Sequence, residues 1–221
     1  MPEKINRLIN LLKRREPEFV TKGIAAASYI TSIGRVLEKR GVDKFQEMAW
    51  VEIQKLSAVK TTSDFDVFHD GFIYNVMKTI KTNNGKETTY GQAQKPVNVF
   101  LKIYIDQARL PDPKLAGRIK PFLHVPLDKN IMEYFYEEFP AEYKSFVQSY
   151  VHQIIGCLEE HAKKEGYSLK PKDKEFFELR RISSKPHYYA WQNLFRNLWA
   201  ERPVMLDMVY ELRSRHIPIE L

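Results

Sequence analysis

Cysteine and glycine are scarce in this chain of 221 residues. The single cysteine, Cys157, excludes an internal disulfide and a metal site built from several cysteines. Cys157 lies in an apolar helical pattern, so we expect a buried core residue rather than a nucleophile. The nine glycines form neither the G-x-G-x-x-G fingerprint of dinucleotide-binding loops nor the phosphate-binding loop G-x-x-x-x-G-K.

Long apolar runs are also missing. No stretch of 18 or more apolar residues occurs, and the start Met1-Pro-Glu-Lys has no apolar secretory core. These patterns predict no membrane partner, and the single cysteine favours a reducing, cytoplasmic compartment. If the source is prokaryotic, the expected place is the nucleoid.

The histidines show no metal-binding spacing. The motif H-E-x-x-H is absent, and the closest pair, His152 and His161, is nine residues apart. We therefore predict no metal site. An organic cofactor is not expected either, because an amine of the chain can supply the covalent chemistry.

Positive charge is in excess. The chain has 35 lysines and arginines against 28 aspartates and glutamates, a net charge of +7. Such an excess favours a polyanionic partner such as nucleic acid. The basic residues are dispersed along the chain, which equally fits an ordinary basic surface.

Apolar residues recur with helical periodicity almost throughout, which predicts an all-α fold. Ile5, Leu8, Ile9 and Leu12 form one stripe, and Pro17 is expected to separate that helix from another over about 18–40. Later helices are predicted from Pro140 to about residue 164, over about 186–200 and over about 203–215.

A lysine and an aspartate stand out in the middle of the chain. Lys95 precedes Pro96, which is expected to open an apolar helix, and Asp128 is at a predicted N-cap. An amine and a carboxylate are a minimal set for covalent catalysis through a Schiff base. The alternative is structural: Lys95 would be a solvated helix-start lysine, and Asp128 would only cap the next helix.

The segment Gly91-Gln-Ala-Gln-Lys95-Pro-Val-Asn98-Val-Phe-Leu resembles the hairpin of helix-hairpin-helix DNA glycosylases. Lys95 matches the catalytic lysine of that family, and Asn98 matches an asparagine of its endonuclease III branch. The segment His124-Val-Pro-Leu-Asp128 looks like the family's segment with the catalytic aspartate. The archaeal 8-oxoguanine DNA glycosylase branch is closest, because it shares a degenerate hairpin, the Gln-Lys pair and the long gap before Pro-x-Asp. Ala93 replaces the second hairpin glycine.

The resemblance implies a DNA glycosylase with AP-lyase activity that excises a damaged base, 8-oxoguanine being favoured. Lys95 would be the nucleophile and Asp128 the charge stabiliser, and the backbone of Gly91, Gln92 and Ala93 would bind a DNA phosphate. The expected partner is double-stranded DNA with a damaged base, bound by a monomer. The expected fold is two-lobed within a single unit of residues 1–221, with a hairpin lobe of roughly 64–135 and a second lobe formed by 1–63 and 136–221.

A glycosylase must hold the extruded base in a pocket with apolar and aromatic walls. The aromatic cluster around residue 188 fits such a wall. For Trp191 the core of the protein is the stronger alternative, because it lies at helical spacing with Leu194, Phe195 and Leu198. The pocket candidates are Gln94, Asn98, His124, His187, Tyr188 and Trp191.

Two other classes of function stay open. A non-catalytic helical nucleic-acid-binding protein would bind DNA in a salt-dependent way without a covalent adduct. A helical interaction protein would have no DNA role. Convergence of Lys95 and Asp128 in space discriminates these classes from the enzyme.

Overall fold

A computed structural model describes residues 2–150 and 185–208, together with 156, 159, 160, 162–164, 166 and 168 between them. The described residues are all-α, as predicted, with isolated β-bridges but no strands. The predictions for Cys157, His152 and His161 lie outside the described residues. Within 2–150 and 185–208 the α-helices are α1 (Pro2–Ile33), α2 (Gly41–Ile53), α3 (Thr62–Thr79), α4 (Tyr90–Leu101), α5 (Pro113–Ile119), α6 (Lys129–Glu138), α7 (Pro140–Phe146) and α8 (Lys185–Leu198). Residues 156, 159, 160, 162–164 and 206–208 are helical as well.

Shorter helical segments join them. A π-helix (Lys102–Gln107) continues α4, and 3₁₀ turns form at Gln54–Ala58, Lys120–Phe122, Gln148–Tyr150 and Pro203–Met205. None of the described helices is both long and apolar enough to cross a bilayer.

Helix α1 passes through Pro17 without interruption, so the prediction of a break there and of a helix over 18–40 is wrong. Proline removes one backbone donor, and the carbonyl that it frees belongs to Lys13. Both residues are exposed, so water can bond that carbonyl. The second half of α1 packs on α2 and α4, and this packing supports the continuous helix.

The core forms where α2, α3 and α4 meet. Phe45 of α2 stacks on Phe72 of α3 at a ring distance of 5.6 Å, and Phe100 of α4 packs edge-on against both. Ala25 and Tyr29 of α1 belong to the same buried cluster. This cluster includes residues on both sides of the lobe boundaries expected near 64 and 136, and the division into lobes stays a prediction.

Helix α4 begins six residues earlier than the sequence suggested. Thr89 caps it: the Thr89 hydroxyl accepts from the amide of Gln92, and the Gln92 side chain accepts from the amide of Thr89. This reciprocal capping box starts the helix at Tyr90. Pro96 therefore lies inside α4, and the prediction that it opens the helix is wrong.

The later helices were predicted unevenly. Helix α8 agrees with the expected helix over 186–200 within two residues at each end. Helix α7 starts at Pro140 as predicted but ends at Phe146, well before residue 164. Pro203 opens a 3₁₀ turn, and the predicted continuation beyond residue 208 lies outside the described residues.

An ion cluster joins the π-helix to the segment after α8. The buried carboxylate of Asp106 accepts two hydrogen bonds from Arg202, both at 2.8 Å, and lies 3.2 Å from Lys120 Nζ. Burial by itself raises the pKa of Asp106, but the bonds from Arg202 and Lys120 outweigh it and lower the pKa. The cluster therefore holds the carboxylate ionised at neutral pH.

We expect Asp106→Asn to lower the free energy of unfolding by about 2 kcal/mol at pH 7, because it leaves two cations without their shared carboxylate. Urea denaturation measures the change. Asp43→Asn is the matched control, since Asp43 is exposed and the same charge is lost; its effect should stay within about 0.5 kcal/mol. Equal effects of the two substitutions would contradict a stabilising role of the cluster.

Candidate active site around Lys95 and Asp128

Lys95 and Asp128 converge, as the enzyme hypothesis required. Lys95 Nζ lies 2.7 Å from Asp128 Oδ2 and 3.5 Å from the carbonyl oxygen of Pro126. The side chains retain 16% and 35% of their exposure, so the pair is in reach of solvent and of a ligand. The contact joins the second turn of α4 to the start of α6.

Asp128 also caps α6, and this prediction is confirmed. Its Oδ1 accepts from the amide of Ile131 at 3.0 Å, while Oδ2 faces Lys95. The bond to the Ile131 amide fixes the orientation of the carboxylate, and its second oxygen contacts Lys95. The structural and the chemical interpretations of Asp128 therefore describe different oxygens of one side chain.

A direct contact between amine and carboxylate permits proton transfer. A lysine nucleophile must lose a proton, and a carboxylate oxygen at 2.7 Å can accept it without an intervening water. Once the carboxylate has passed that proton on, its negative charge can face positive charge that develops on a substrate. The arrangement can therefore support amine nucleophilic chemistry.

The segment predicted to bind phosphate lies in the first turn of α4. Gly91, Gln92 and Ala93 are buried. The amide of Gln92 donates to the Thr89 hydroxyl, and the amide of Ala93 donates to the Thr89 carbonyl at 2.9 Å. In this arrangement the amides of Gln92 and Ala93 are not free to bind a DNA phosphate.

Gln94 and Asn98 lie one turn apart on the buried face of α4. Gln94 Nε2 donates to the carbonyls of Leu127 and Gly91, and Gln94 Oε1 accepts from Asn98 Nδ2 at 2.7 Å. Asn98 Oδ1 lies 2.6 Å from His69 Nε2 of α3. Both polar side chains are therefore engaged within the protein.

Tyr188 of α8 connects this network to His124. Its hydroxyl accepts from Asn98 Nδ2 at 2.8 Å and lies 2.9 Å from His124 Nδ1. Arg196 Nη2 lies 2.6 Å from both His124 Nε2 and Asp66 Oδ1. His124 Nε2 also lies 3.0 Å from Asp66 Oδ1, so this nitrogen faces both a guanidinium and a carboxylate.

The remaining two candidates are core residues. Trp191 is fully buried and packs against Tyr143 and Phe195, which agrees with the core alternative. Its Nε1 has no hydrogen-bond partner among the described residues. His187 is 1% exposed, and burial lowers its pKa to about 3.

The predicted base pocket is thus not an open pocket. Each of its six candidates is at most 2% exposed, and four of them bond to one another in a chain. The structure corrects the expectation that these side chains face a ligand. They form a buried polar layer behind Lys95 and Asp128: Gln94, Asn98, His124 and Tyr188.

Sequence reasoning missed three residues that bond to this layer, namely Asp66, His69 and Arg196. A signal for two of them exists on α3, where Asp66 and His69 share a helical face with Ile73. Polar residues at helical spacing among apolar ones indicate a buried network. Arg196 gives no such signal, because its partners are 72 and 130 residues away in the chain.

Desolvation sets the charge of the buried histidines. Burial lowers the pKa of His124 to about 4; the hydrogen bond with Asp66 opposes this shift, and the charge of Arg196 adds to it. Burial, together with the charge of His124, places the pKa of His69 well below its ordinary value. Asp66 is held ionised, since bonds from His124 and Arg196 outweigh burial and lower its pKa to about 2.

No group of three or more metal-ligating side chains lies together within residues 2–150, 185–208 and the shorter described stretches. Comparison of the chain with protein-family models, curated proteins and solved structures finds no match.

We expect acid to destabilise the protein through its neutral histidines. Between pH 6.5 and 5 the unfolded chain binds protons that folded His69, His124 and His187 reject. The free energy of unfolding should therefore fall with pH, by up to about 1.4 kcal/mol per pH unit for each histidine. Urea denaturation at several pH values measures the slope. His187→Gln should reduce this slope by up to about 1.4 kcal/mol per pH unit, which is the contribution of one proton. An unchanged slope would contradict the neutral state of His187.

Proposed function

We propose that this protein is a DNA glycosylase with AP-lyase activity, in which Lys95 is the nucleophile and Asp128 its proton acceptor and charge stabiliser. The observation that carries the proposal is the 2.7 Å contact of Lys95 Nζ with Asp128 Oδ2, formed by two side chains that are both partly exposed. The resemblance of both flanking segments to helix-hairpin-helix glycosylases supports it, with 8-oxoguanine as the favoured lesion.

The chemistry begins with the loss of a proton from the Lys95 ammonium to Asp128. The neutral amine attacks C1′ of the damaged nucleotide, and the bond from C1′ to the base breaks with its electron pair going to the base, which leaves protonated. Opening of the sugar ring converts the new C–N bond into a Schiff base. This intermediate permits elimination of the 3′ phosphate, which is the lyase step, before water releases Lys95.

The buried polar layer has an indirect part in this proposal. Gln94 and Asn98 bond to the backbone behind the reacting pair, and Tyr188 bonds to Asn98, rather than contact the base. The partner is duplex DNA, which the net charge of +7 favours. The proposed protein acts as a cytoplasmic monomer.

The strongest competing interpretation is a structural ion pair in a protein that binds DNA without cutting it. The Asp128 cap of α6 favours it, because a capping carboxylate beside a lysine is ordinary helix chemistry. Such a protein would show salt-sensitive DNA binding and no covalent product.

Borohydride trapping separates the two. We expect the wild-type protein and an 8-oxoguanine duplex to give a reduced covalent adduct, because borohydride converts a Schiff base into a stable amine. Lys95→Gln should abolish the adduct, and Lys129→Gln, which removes an exposed neighbouring lysine charge, should preserve it. Asn can still cap α6, so Asp128→Asn should keep the fold. Its adduct should form about a hundredfold more slowly, because the amide cannot accept the proton of Lys95.

Duplexes with other damaged bases and with an abasic site extend the same assay. An adduct with another lesion would keep the mechanism and replace the substrate. Absence of an adduct with every duplex, together with salt-dependent binding of undamaged DNA, would refute the enzyme and favour the binding protein. Absence of binding would favour the interaction protein.

A further inference from the structure

Two glutamine side chains bind the extended segment that leads to Asp128. Gln94 of α4 pairs with both backbone groups of Leu127: its Nε2 donates to the carbonyl at 2.8 Å, and its Oε1 accepts from the amide at 3.2 Å. Gln192 of α8 pairs in the same way with Val125, both bonds being 2.9 Å long. The segment 123–127 is buried along its length.

This pattern substitutes for a β-ladder. A primary amide offers one acceptor and N–H donors side by side, as a backbone peptide group of a neighbouring strand does. Residues 125 and 127 are alternate positions of an extended chain, which is where a strand partner would pair. The glutamines are 0% and 1% exposed, so water does not compete for these bonds.

The side-chain amides of Gln94 and Gln192 both fix the segment that leads to Asp128. Gln94 precedes Lys95, and Leu127 precedes Asp128. The bonds between Gln94 and Leu127 therefore lie next to the contact between Lys95 and Asp128. Gln94 secures the segment to the helix that carries the lysine. Gln192 secures the same segment, two residues earlier, to α8.

We infer that Gln192 and Gln94 are positioning residues that fix the register of segment 123–127 and so set the contact of Lys95 with Asp128. Gln192 reaches neither Lys95 nor Asp128 in the contacts described, and it acts through the backbone of Val125. The inference rests on the proposed function for its purpose, but the contact that it concerns can be measured without DNA.

Gln192→Glu provides a reversible test. The ionised carboxylate has no N–H and faces the Val125 carbonyl with a negative oxygen, so the pairing is lost. The protonated carboxyl has an O–H and a C=O in the places of the amide groups and restores both bonds. Burial favours the protonated form, so mild acid should be sufficient.

The first readout is the Lys95 side-chain NMR signal of protein labelled with ¹³C-lysine. Lys95→Gln assigns the signal, and Asp128→Asn gives its position when the ion pair is broken. At pH 8 the Gln192→Glu signal should move toward the Asp128→Asn position, and near pH 5.5 it should return to the wild-type position. Gln46→Glu is the matched control, because Gln46 also donates to a backbone carbonyl, that of Lys22, but at the contact of α2 with α1.

The second readout is the rate of borohydride trapping relative to wild type at each pH. We expect Gln192→Glu to be slower by about tenfold to a hundredfold at pH 8, with unchanged DNA binding, and to recover in mild acid. A variant that only loosened the fold would not recover on acidification. If Gln192→Glu does not fold at pH 8, Gln94→Glu tests the other end of the segment with the same expected reversal.

A Lys95 signal that stays at the wild-type position at pH 8 in Gln192→Glu would overturn the inference. An equal shift in Gln46→Glu would overturn it too, since the effect would then be general. If the signal shifts and returns as expected while the wild type traps no duplex, the positioning role stands and the proposed function fails.

Discussion

Burial of polar groups away from water is the constraint on which the centre of this molecule depends. Helices α3, α4 and α8 enclose the extended segment 123–127, whose peptide groups have no sheet to pair with. Each buried donor or acceptor left unpaired costs about 1–3 kcal/mol. The side chains that surround the segment therefore bond to it and to one another, and Asn98 joins the three helices through its bonds to His69 of α3 and Tyr188 of α8.

The same constraint explains how much of the structure could be predicted from the sequence. The all-α class, the cap at Asp128 and the extent of α8 depend on local patterns, namely periodicity and cap chemistry. The start of α4 was misjudged because two local signals compete, and the reciprocal cap of Thr89 and Gln92 prevailed over Pro96. The helix break expected at Pro17 was also wrong, because the packing of the second half of α1 on α2 and α4 stabilises a continuous helix.

The site was predictable in part. The pairing of Lys95 with Asp128 was expected from two short motifs 33 residues apart, and the two side chains are in contact. The surroundings were not predictable, because contacts such as Asn98 with Tyr188 join residues 90 positions apart. Polar residues near a suspected nucleophile were assigned to ligand contact, whereas the fold uses them internally.

Asp128 caps a helix and, in the proposed mechanism, also takes part in the chemistry. One carboxylate oxygen is committed to the first turn of α6 and the other is left for Lys95. The cap uses one carboxylate oxygen and fixes the direction of the other. Catalysis requires rigid placement of a reacting group, and in the proposed mechanism ordinary helix termination provides it.

The π-helix after α4 has a consequence for chain length. In Lys102–Gln107 the backbone bonds reach one residue further than in an α-helix, as in the bond from the Ala108 amide to the Ile103 carbonyl at 2.8 Å. Removal of one residue from this stretch would restore regular α-helical winding and leave the downstream chain close to its place, because a π-turn holds one more residue within about the same rotation. The same deletion in the regular part of α4 would turn every later residue by about 100° about the helix axis. The chain can therefore lose one residue between 102 and 107 at a smaller structural cost than elsewhere along α4.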